Sequence, residues 1–311
     1  MKGRLYAEFM ERRGRRIFEG AGCYWYDVSR GLIMGIPYHE PIDPAADEMR
    51  DLLSRARRIG ARYLASEGNG LSGGLYLRRK SPYDITSVHR KSRNRLRHAI
   101  EKCVVRPVEK SELRAQGMQL NLDTMARQGR FDAEFGEPRQ WERLVDAAYN
   151  STGVAVMGAF AEGALAAWSV TLKEDGWFHI LHQFSGNAWL SDWVPNEAVT
   201  FGLTKAAMED PEVDAVSYGV EGLVKGPGLH EYKLRHGYEF VPFGYAFALH
   251  PAASWLLANP ASAWGIQTAH RLLPRVQVLE RMGSVVEGAR LTRGNQATDR
   301  VPTMAEEMRH G

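Results

Sequence analysis

The chain has 311 residues, with 40 Lys+Arg, 37 Asp+Glu, a formal charge of +3 and 44% hydrophobic residues. That balance excludes a histone-like basic tail and an acidic disordered chain, and the length can bury one large core or two modest ones. The total hides an asymmetry: residues 1–110 carry 23 basic against 13 acidic residues, and the rest 17 against 24. The front of the chain therefore faces an anionic partner, balances the back, or does both.

In chain order, strands are expected at Arg15–Phe18, Tyr24–Val28 and Leu32–Ile36, around turns at 19–22 and 29–31. A helix follows over Pro44–Arg58, then strands at Ala61–Ala65 and Leu75–Arg79. Thr86–Lys102 reads as one strongly basic helix and Val104–Val108 as a strand. Residues 110–150 read as two connecting helices. Val154–Phe160, Leu165–Leu172 and Trp177–Phe184, separated by Glu162-Gly163 and Lys173–Gly176, make an antiparallel meander. Ser191 or Asp192 can cap the next helix, with Pro195 in its first turn and Pro211 past its end. Val213–Tyr218 is a strand, Gly219–Gly228 a glycine-rich loop, and Leu229–His236 a short helix closed by Gly237. Tyr238–Phe240 and Phe243–Leu249 are strands flanking Pro242. Helices broken by Pro260 and Pro274 fill 252–285, and a polar tail from about 290 is expected to be mobile. The order β-β-β-α-β thus occurs twice, a repeat of pattern without visible sequence identity.

Two cysteines, Cys23 and Cys103, are too few for a disulfide scaffold or a four-cysteine metal site and fit a reducing cytoplasm. No apolar segment opens the chain and no stretch of about 20 uncharged apolar residues occurs, so a soluble protein is expected. Gly68–Gly73 matches G-x-G-x-x-G, and Gly70–Gly74 matches G-x-S-x-G with Ser72 as nucleophile. Both motifs need a helix to follow, and Leu75-Tyr76-Leu77 reads as a strand. The dinucleotide and serine-hydrolase readings therefore give way to a glycine loop, which can still serve a substrate. No H-E-x-x-H is present, and His179 and His182 point to opposite faces of a strand, so no metal site is expected.

The segment Gly228-Leu229-His230-Glu231-Tyr232-Lys233-Leu234-Arg235-His236-Gly237-Tyr238 resembles the G-L-x-x-[FY]-K-x-x-x-G-[FY] motif of FemAB/FemX-like proteins in the GNAT (N-acetyltransferase) superfamily. Ser92-Arg93-Asn94-Arg95-Leu96-Arg97-His98-Ala99 is similar to a basic helix of the same family, and the resemblance covers about residues 15–250. It implies an α/β fold of two fused GNAT-like halves, each a mixed, mostly antiparallel sheet flanked by helices. The halves would be 1–125 and 126–250, the second carrying the donor site, followed by C-terminal helices over 251–289 and the tail 290–311. It also implies acyl or aminoacyl transfer from aminoacyl-tRNA or acyl-CoA to an amine on a small molecule or peptide, with no tightly bound cofactor. In such a reaction a neutral amine attacks a carbonyl, the developing oxyanion needs a donor, and the amine must lose a proton. The sequence departs from the superfamily at Ser185–Leu190, where the pyrophosphate motif [QR]-x-x-G-x-[GA] is absent, and it lacks the coiled-coil arm of the classical Fem ligases.

On this resemblance Lys233 stands by the donor site as an oxyanion or phosphate partner, or else is a solvated helix lysine. Tyr232 takes the aromatic place of the motif and can equally be core. Tyr218, at a strand end, is a candidate donor to the oxyanion; Glu221 can orient the amine or act as base; His182 is a second candidate base. Asn196 is a substrate contact or a helix cap. The run from Arg78 to Arg97 holds eight basic residues against Asp84. On one helix Arg90, Arg93 and Arg97 share a face and would hold phosphate, from tRNA, CoA or a nucleotide-linked acceptor. A GNAT-fold module that binds RNA or a nucleotide-linked ligand without catalysis is the competing reading.

Overall fold

The computed structural model describes residues 1–29, 31–221, 228–257, 288, 289 and 292. The chain begins with α1 (Arg4–Arg12), then β1 (Ile17–Gly20), β2 (Cys23–Asp27), β3 (Leu32–Ile36), α2 (Ala46–Ala56), β4 (Gly60–Ala65) and β5 (Leu71–Arg79). Two 3₁₀ turns lead into α3 (Arg93–Lys102), β6 (Val104–Pro107), α4 (Lys110–Glu112), α5 (Met118–Arg127), α6 (Ala133–Gly136) and α7 (Pro138–Asn150). The meander β7 (Val154–Ala161), β8 (Ala164–Glu174) and β9 (Trp177–Ser185) is followed by α8 (Pro195–Glu209), β10 (Ala215–Val220), α9 (Leu229–Arg235), β11 (Glu239–Leu249) and α10 (Pro251–Leu257). The order β-β-β-α-β occurs twice, as β1-β2-β3-α2-β4 and β7-β8-β9-α8-β10.

The chain divides into two compact units, one of Ile17–Gly74 with the described residues from Pro242 on, the other of Lys2–Arg16 with Leu75–Val241. They cut the chain elsewhere than the sequential halves 1–125 and 126–250. The reason is pairing: within the first unit β11 pairs antiparallel with β4, and within the second β5 pairs antiparallel with β10 and β6 with β7. In the first unit β1, β2 and β3 run antiparallel and β3 is parallel to β4, over a core of Trp25, Ile33, Leu52, Leu53 and Tyr63. In the second, β9 is parallel to β10, while β9, β8, β7 and β6 run antiparallel. Its core gathers Leu96 and Ala99 of α3 with Val199 and Leu203 of α8 and Val216 of β10.

The strand-turn-strand order is local and follows the sequence closely. Turn residues Glu162 (φ 50), Gly163, Asp175 (φ 51) and Gly176 adopt the left-handed conformation that tight hairpins require. Elsewhere tertiary contacts override the local reading. The expected helix over 86–102 is broken: Asp84 accepts a hydrogen bond from the Thr86 amide (2.7 Å), Val88 is extended and fully buried, and only Arg93–Lys102 is α-helical. Arg90 lies in a 3₁₀ turn, so it does not share a continuous helix face with Arg93 and Arg97. Helix α8 begins at Pro195 behind Val194 (φ 49), without a side-chain cap from Ser191 or Asp192. β11 runs straight through the exposed Pro242 instead of stopping there. Residues 110–127 form one helical run with a π turn at Leu113–Gly117, and α6 and α7 follow. Helix α1 was not expected. The Glu174 carboxylate caps it by accepting from the Leu5 and Tyr6 amides, at 2.5 and 3.0 Å.

Gly68–Gly74 leads into strand β5, not a helix. Gly70 (φ 94) makes the turn, where a Cβ would meet the Tyr245 carbonyl at 2.1 Å. Both cysteines are buried and unpaired with each other, and burial pushes the Cys23 thiol up to about 12. No helix among the described residues is long and apolar enough to cross a membrane. Residues 222–227 of the expected glycine loop, most of the expected helices over 252–285 and nearly all of the tail lie outside the described residues.

Candidate active site

Helix α9 carries the centre of the site. Its seven residues start behind Gly228 (φ 79) and end before Gly237 (φ 79), two left-handed positions that fix where the helix begins and stops. Lys233 is directed inward and is 5% exposed. Its Nζ donates to the Tyr218 carbonyl oxygen at 2.7 Å and lies 4.2 Å from the centre of the Tyr76 ring and 5.0 Å from that of Tyr218. A buried ammonium with one oxygen acceptor and two aromatic faces is a desolvated cation held by cation–π attraction. Burial pushes Lys233 down to about 8, and the Glu221 carboxylate pulls the other way. This is an inward lysine, not a solvated one.

Glu221 is the last described residue before 222–227. Its charge also bears on Tyr76, whose hydroxyl burial and Glu221 together push up. The Tyr76 hydroxyl pairs with His230 Nδ1 at 2.8 Å, and His230 stands one turn before Lys233 on α9. Lys233, Tyr76, Glu221 and His230 thus form one group of charged, aromatic and titratable side chains.

Behind them lies a buried polar network. The Tyr218 hydroxyl donates to Gln183 Oε1 (2.8 Å) and pairs with Thr200 Oγ1 (3.2 Å). Thr200 also meets the Tyr232 hydroxyl at 3.0 Å, and that hydroxyl donates to the Asn196 carbonyl at 3.1 Å. Gln183 Nε2 donates to Asn196 Oδ1 (3.2 Å), and Asn196 Nδ2 donates to Ser185 Oγ (2.8 Å). Burial pushes Tyr218 up to about 12 and raises Tyr232 well above the ordinary tyrosine range, so both hydroxyls stay protonated and act as fixed donors. The Tyr218 hydroxyl therefore faces the interior, and what reaches Lys233 is its carbonyl and its ring. Tyr232 and Asn196 belong to the supporting network. Asn196 does not cap α8, because its side chain reaches Ser185.

His182 stands apart. On β9 it faces the side opposite to Gln183, packed edge-on against Phe135 at 4.8 Å, as alternation along a strand requires. Burial, with Arg13, pushes it down to about 3. It does not join Lys233, Tyr218 and Glu221. The three arginines also separate. Arg93 donates to the Val88 and Thr86 carbonyls (2.8 and 2.7 Å), holding the broken turn; Arg97 donates to Asn94 Oδ1 (2.9 Å); Arg90 is exposed. Arg95 is the arginine that leans toward the site, with Nε 3.4 Å from Glu197 Oε1.

Sequence reasoning missed Tyr76, Gln183, Thr200, Glu197 and His230 as members of the site. Gln183 and Thr200 carry no motif, and Tyr76 sits in the strand that argued against a dinucleotide loop. His230 could have been found inside the glycine-flanked α9 segment. Among the described residues no group of three His, Cys, Asp or Glu could hold a metal ion.

The repeated β-β-β-α-β order, with a parallel strand pair flanking each central helix, is the mixed, mostly antiparallel α/β arrangement of two halves expected from the sequence. Solved structures agree. FemX matches with a TM-score of 0.55 at 11% identity, over 82% of this chain and 94% of that one. The C-terminal domain of an Agrobacterium fabrum protein described as a lysylphosphatidylglycerol synthetase matches with a TM-score of 0.52 at 12% identity, over 81% and 90%. L-PGS from Bacillus licheniformis gives 0.50 at 12% identity, over 81% and 92%. The chain thus has a FemX-like fold. No protein-family profile and no curated protein matches the sequence.

Proposed function

We propose that the chain is an acyltransferase that forms an amide by moving an acyl or aminoacyl group onto an amine. The observation that carries this reading is the Lys233 ammonium, desolvated, oriented by the Tyr218 carbonyl and boxed by Tyr76 and Tyr218. A fixed cation in a dry site stabilises an oxyanion far better than one in water, and needs no reorganisation as charge develops. In this reading the acceptor nitrogen attacks the donor carbonyl, the C–N bond forms and negative charge collects on the oxygen facing Lys233. Glu221 takes the amine proton, the carbonyl re-forms, and the bond to the donor's ester oxygen or thioester sulfur breaks. The proton ends on that leaving group. Tyr218 acts by holding Lys233.

Aminoacyl-tRNA is the favoured donor. Ser185–Leu190 lacks the pyrophosphate motif and folds into a 3₁₀ turn at Asn187–Trp189, while α3 presents exposed Arg95 and Arg97 beside basic Arg90 and Lys91. The name of the Agrobacterium fabrum neighbour joins a lysyl group to a phosphatidylglycerol, which suits aminoacyl transfer. The acceptor is an amine-bearing small molecule or peptide, and the site of action the cytoplasm.

The test is transfer of labelled aminoacyl groups from charged tRNA, or labelled acetyl from acetyl-CoA, to a panel of amines. The wild-type protein should show transfer, and Lys233→Ala should abolish it. RNase sensitivity and a steep salt dependence identify tRNA as donor. Retention of RNA binding with no transfer from either donor overturns the catalytic reading in favour of a binding module.

A further inference from the structure

Glu197 and His236 are both buried charge-bearing groups, 4% and 1% exposed, that the mechanism above does not use. Glu197 lies in the first turn of α8 and His236 at the C-terminal cap of α9. His236 Nε2 is 2.6 Å from Glu197 Oε2, and His236 Nδ1 is 2.8 Å from the carbonyl oxygen of Tyr232. Both ring nitrogens thus face oxygens, and a carbonyl can only accept. The Nδ1–H therefore donates to Tyr232, one residue before Lys233, and the pair shares a proton at Nε2. The Tyr232 ring packs against the His236 ring, tilted by 40° with the centres 4.2 Å apart. The backbone of His236 is fixed as well, its carbonyl accepting from the Tyr83 hydroxyl at 2.9 Å. Arg95 of α3 holds the other carboxylate oxygen and extends to solvent.

We propose that Glu197 and His236 are a positioning pair for Lys233: the carboxylate of α8 orients the imidazole, and the imidazole clamps the turn of α9 that aims the lysine inward. A seven-residue helix has few internal hydrogen bonds with which to hold itself. Side-chain bonds from a neighbouring helix supply the missing restraint, and Lys233 keeps its desolvated place as long as they hold. Arg95 sets the rotamer of Glu197 from the outside. The role assigned to Lys233 in catalysis rests on the function proposed above; the clamp itself does not.

The experiment is trace acetylation of the full chain with acetic anhydride across pH 6–11, read on the Lys233 peptide by mass spectrometry. It needs no substrate, so loss of transfer in Lys233→Ala and loss of the clamp are separate results. Wild type should label with a midpoint near 8. His236→Phe keeps the ring and its packing against Tyr232 but loses both hydrogen bonds. It should raise the midpoint by one to two units, toward the ordinary lysine value of about 10.4. Glu197→Leu, which leaves the imidazole in place, should do the same and serves if His236→Phe fails to fold. Glu197→Gln still offers an oxygen to Nε2–H and should stay within about half a unit of wild type. A folded His236→Phe or Glu197→Leu with an unchanged midpoint overturns the proposal. So does a Glu197→Gln midpoint displaced as far as that of Glu197→Leu, because charge and not the hydrogen bond would then be at work.

Discussion

The Lys233 ammonium of α9 lies 4.2 Å from the centre of the Tyr76 ring, so strand β5 supplies an aromatic wall for a cation more than 150 residues further along the chain. The ring face offsets part of the cost of burying that cation. Tyr76→Leu removes the face, and the Lys233 midpoint should fall below 8 by up to about one unit, since cation–π contacts are worth about 0.5–2 kcal/mol. Tyr76→Phe keeps the face and should leave the midpoint nearly where it is, although the bond to His230 is lost. Trace labelling of both variants measures the difference.

Rate should follow the charge of Lys233. With its titration pushed down to about 8, the ammonium is mostly present at pH 7 and lost above about 8. A pH–rate profile should therefore show transfer falling on the alkaline side from about pH 8. In Lys233→Arg any residual transfer should lack that limb, because a guanidinium stays charged. An alkaline limb that persists in the arginine variant assigns it to another group.

Lys233 costs stability. The unfolded lysine holds its proton to about pH 10.4 and the folded one only to about 8. Between those values the unfolded chain binds more protons, so stability rises with pH there, and below about 8 the whole penalty is present. Lys233→Met should abolish transfer and stabilise the protein by about 2–3 kcal/mol at pH 7, a gain that disappears near pH 10.5. Thermal melting at pH 7 and pH 10.5 checks both halves of the expectation.

On the opposite face of the same sheet, Glu134 is 8% exposed and bonded to Arg13 (2.7 Å) and Arg15 (3.0 Å). Burial pushes its carboxyl up, but the two arginines outweigh that and hold it down to about 2. Glu134→Gln leaves Arg13 buried without its counter-charge and should cost about 3 kcal/mol or more in denaturant unfolding. Transfer by the protein that remains folded should be unchanged.

His182 should prove dispensable for chemistry. It stays neutral when folded down to about pH 3, whereas an unfolded histidine takes a proton below about 6.5. Its contribution to stability is therefore lost as pH falls through that window. His182→Leu should keep transfer and flatten the acid-side loss of stability. A hundredfold fall in kcat on this substitution would return His182 to the reaction.

The meander was legible because its turns are local: Glu162-Gly163 and Asp175-Gly176 demand left-handed backbone, and the strands between them alternate. Helix α9 was legible because glycines bracket it, whereas Lys233 was singled out only by the family resemblance, and its inward turn is visible only in the fold. Helix α1 was not legible, since its cap is Glu174, the last residue of the distant strand β8. The basic helix was over-extended because arginines and lysines suit any helix, while Asp84 and the buried Val88 halt it. His182 was misplaced toward the site because a strand offers two faces, and only packing against Phe135 reveals which one it takes. Gln183 of β9 and Thr200 of α8 meet the Tyr218 hydroxyl, and Tyr76 reaches Lys233 from β5, which pairs with β10; contacts between such distant stretches are not encoded in any one of them.

Cys23 and Cys103 are buried, and the Cys23 thiol is held protonated far beyond neutral pH. Thiolate, not thiol, is what alkylating agents and oxidants attack. A cysteine introduced at an exposed position of α3 such as Glu101 would then be the first to react, with both native residues left in place. A fluorophore attached there would stand on the outer face of α3, ready to report the arrival of a phosphate-bearing donor in a protein otherwise unchanged.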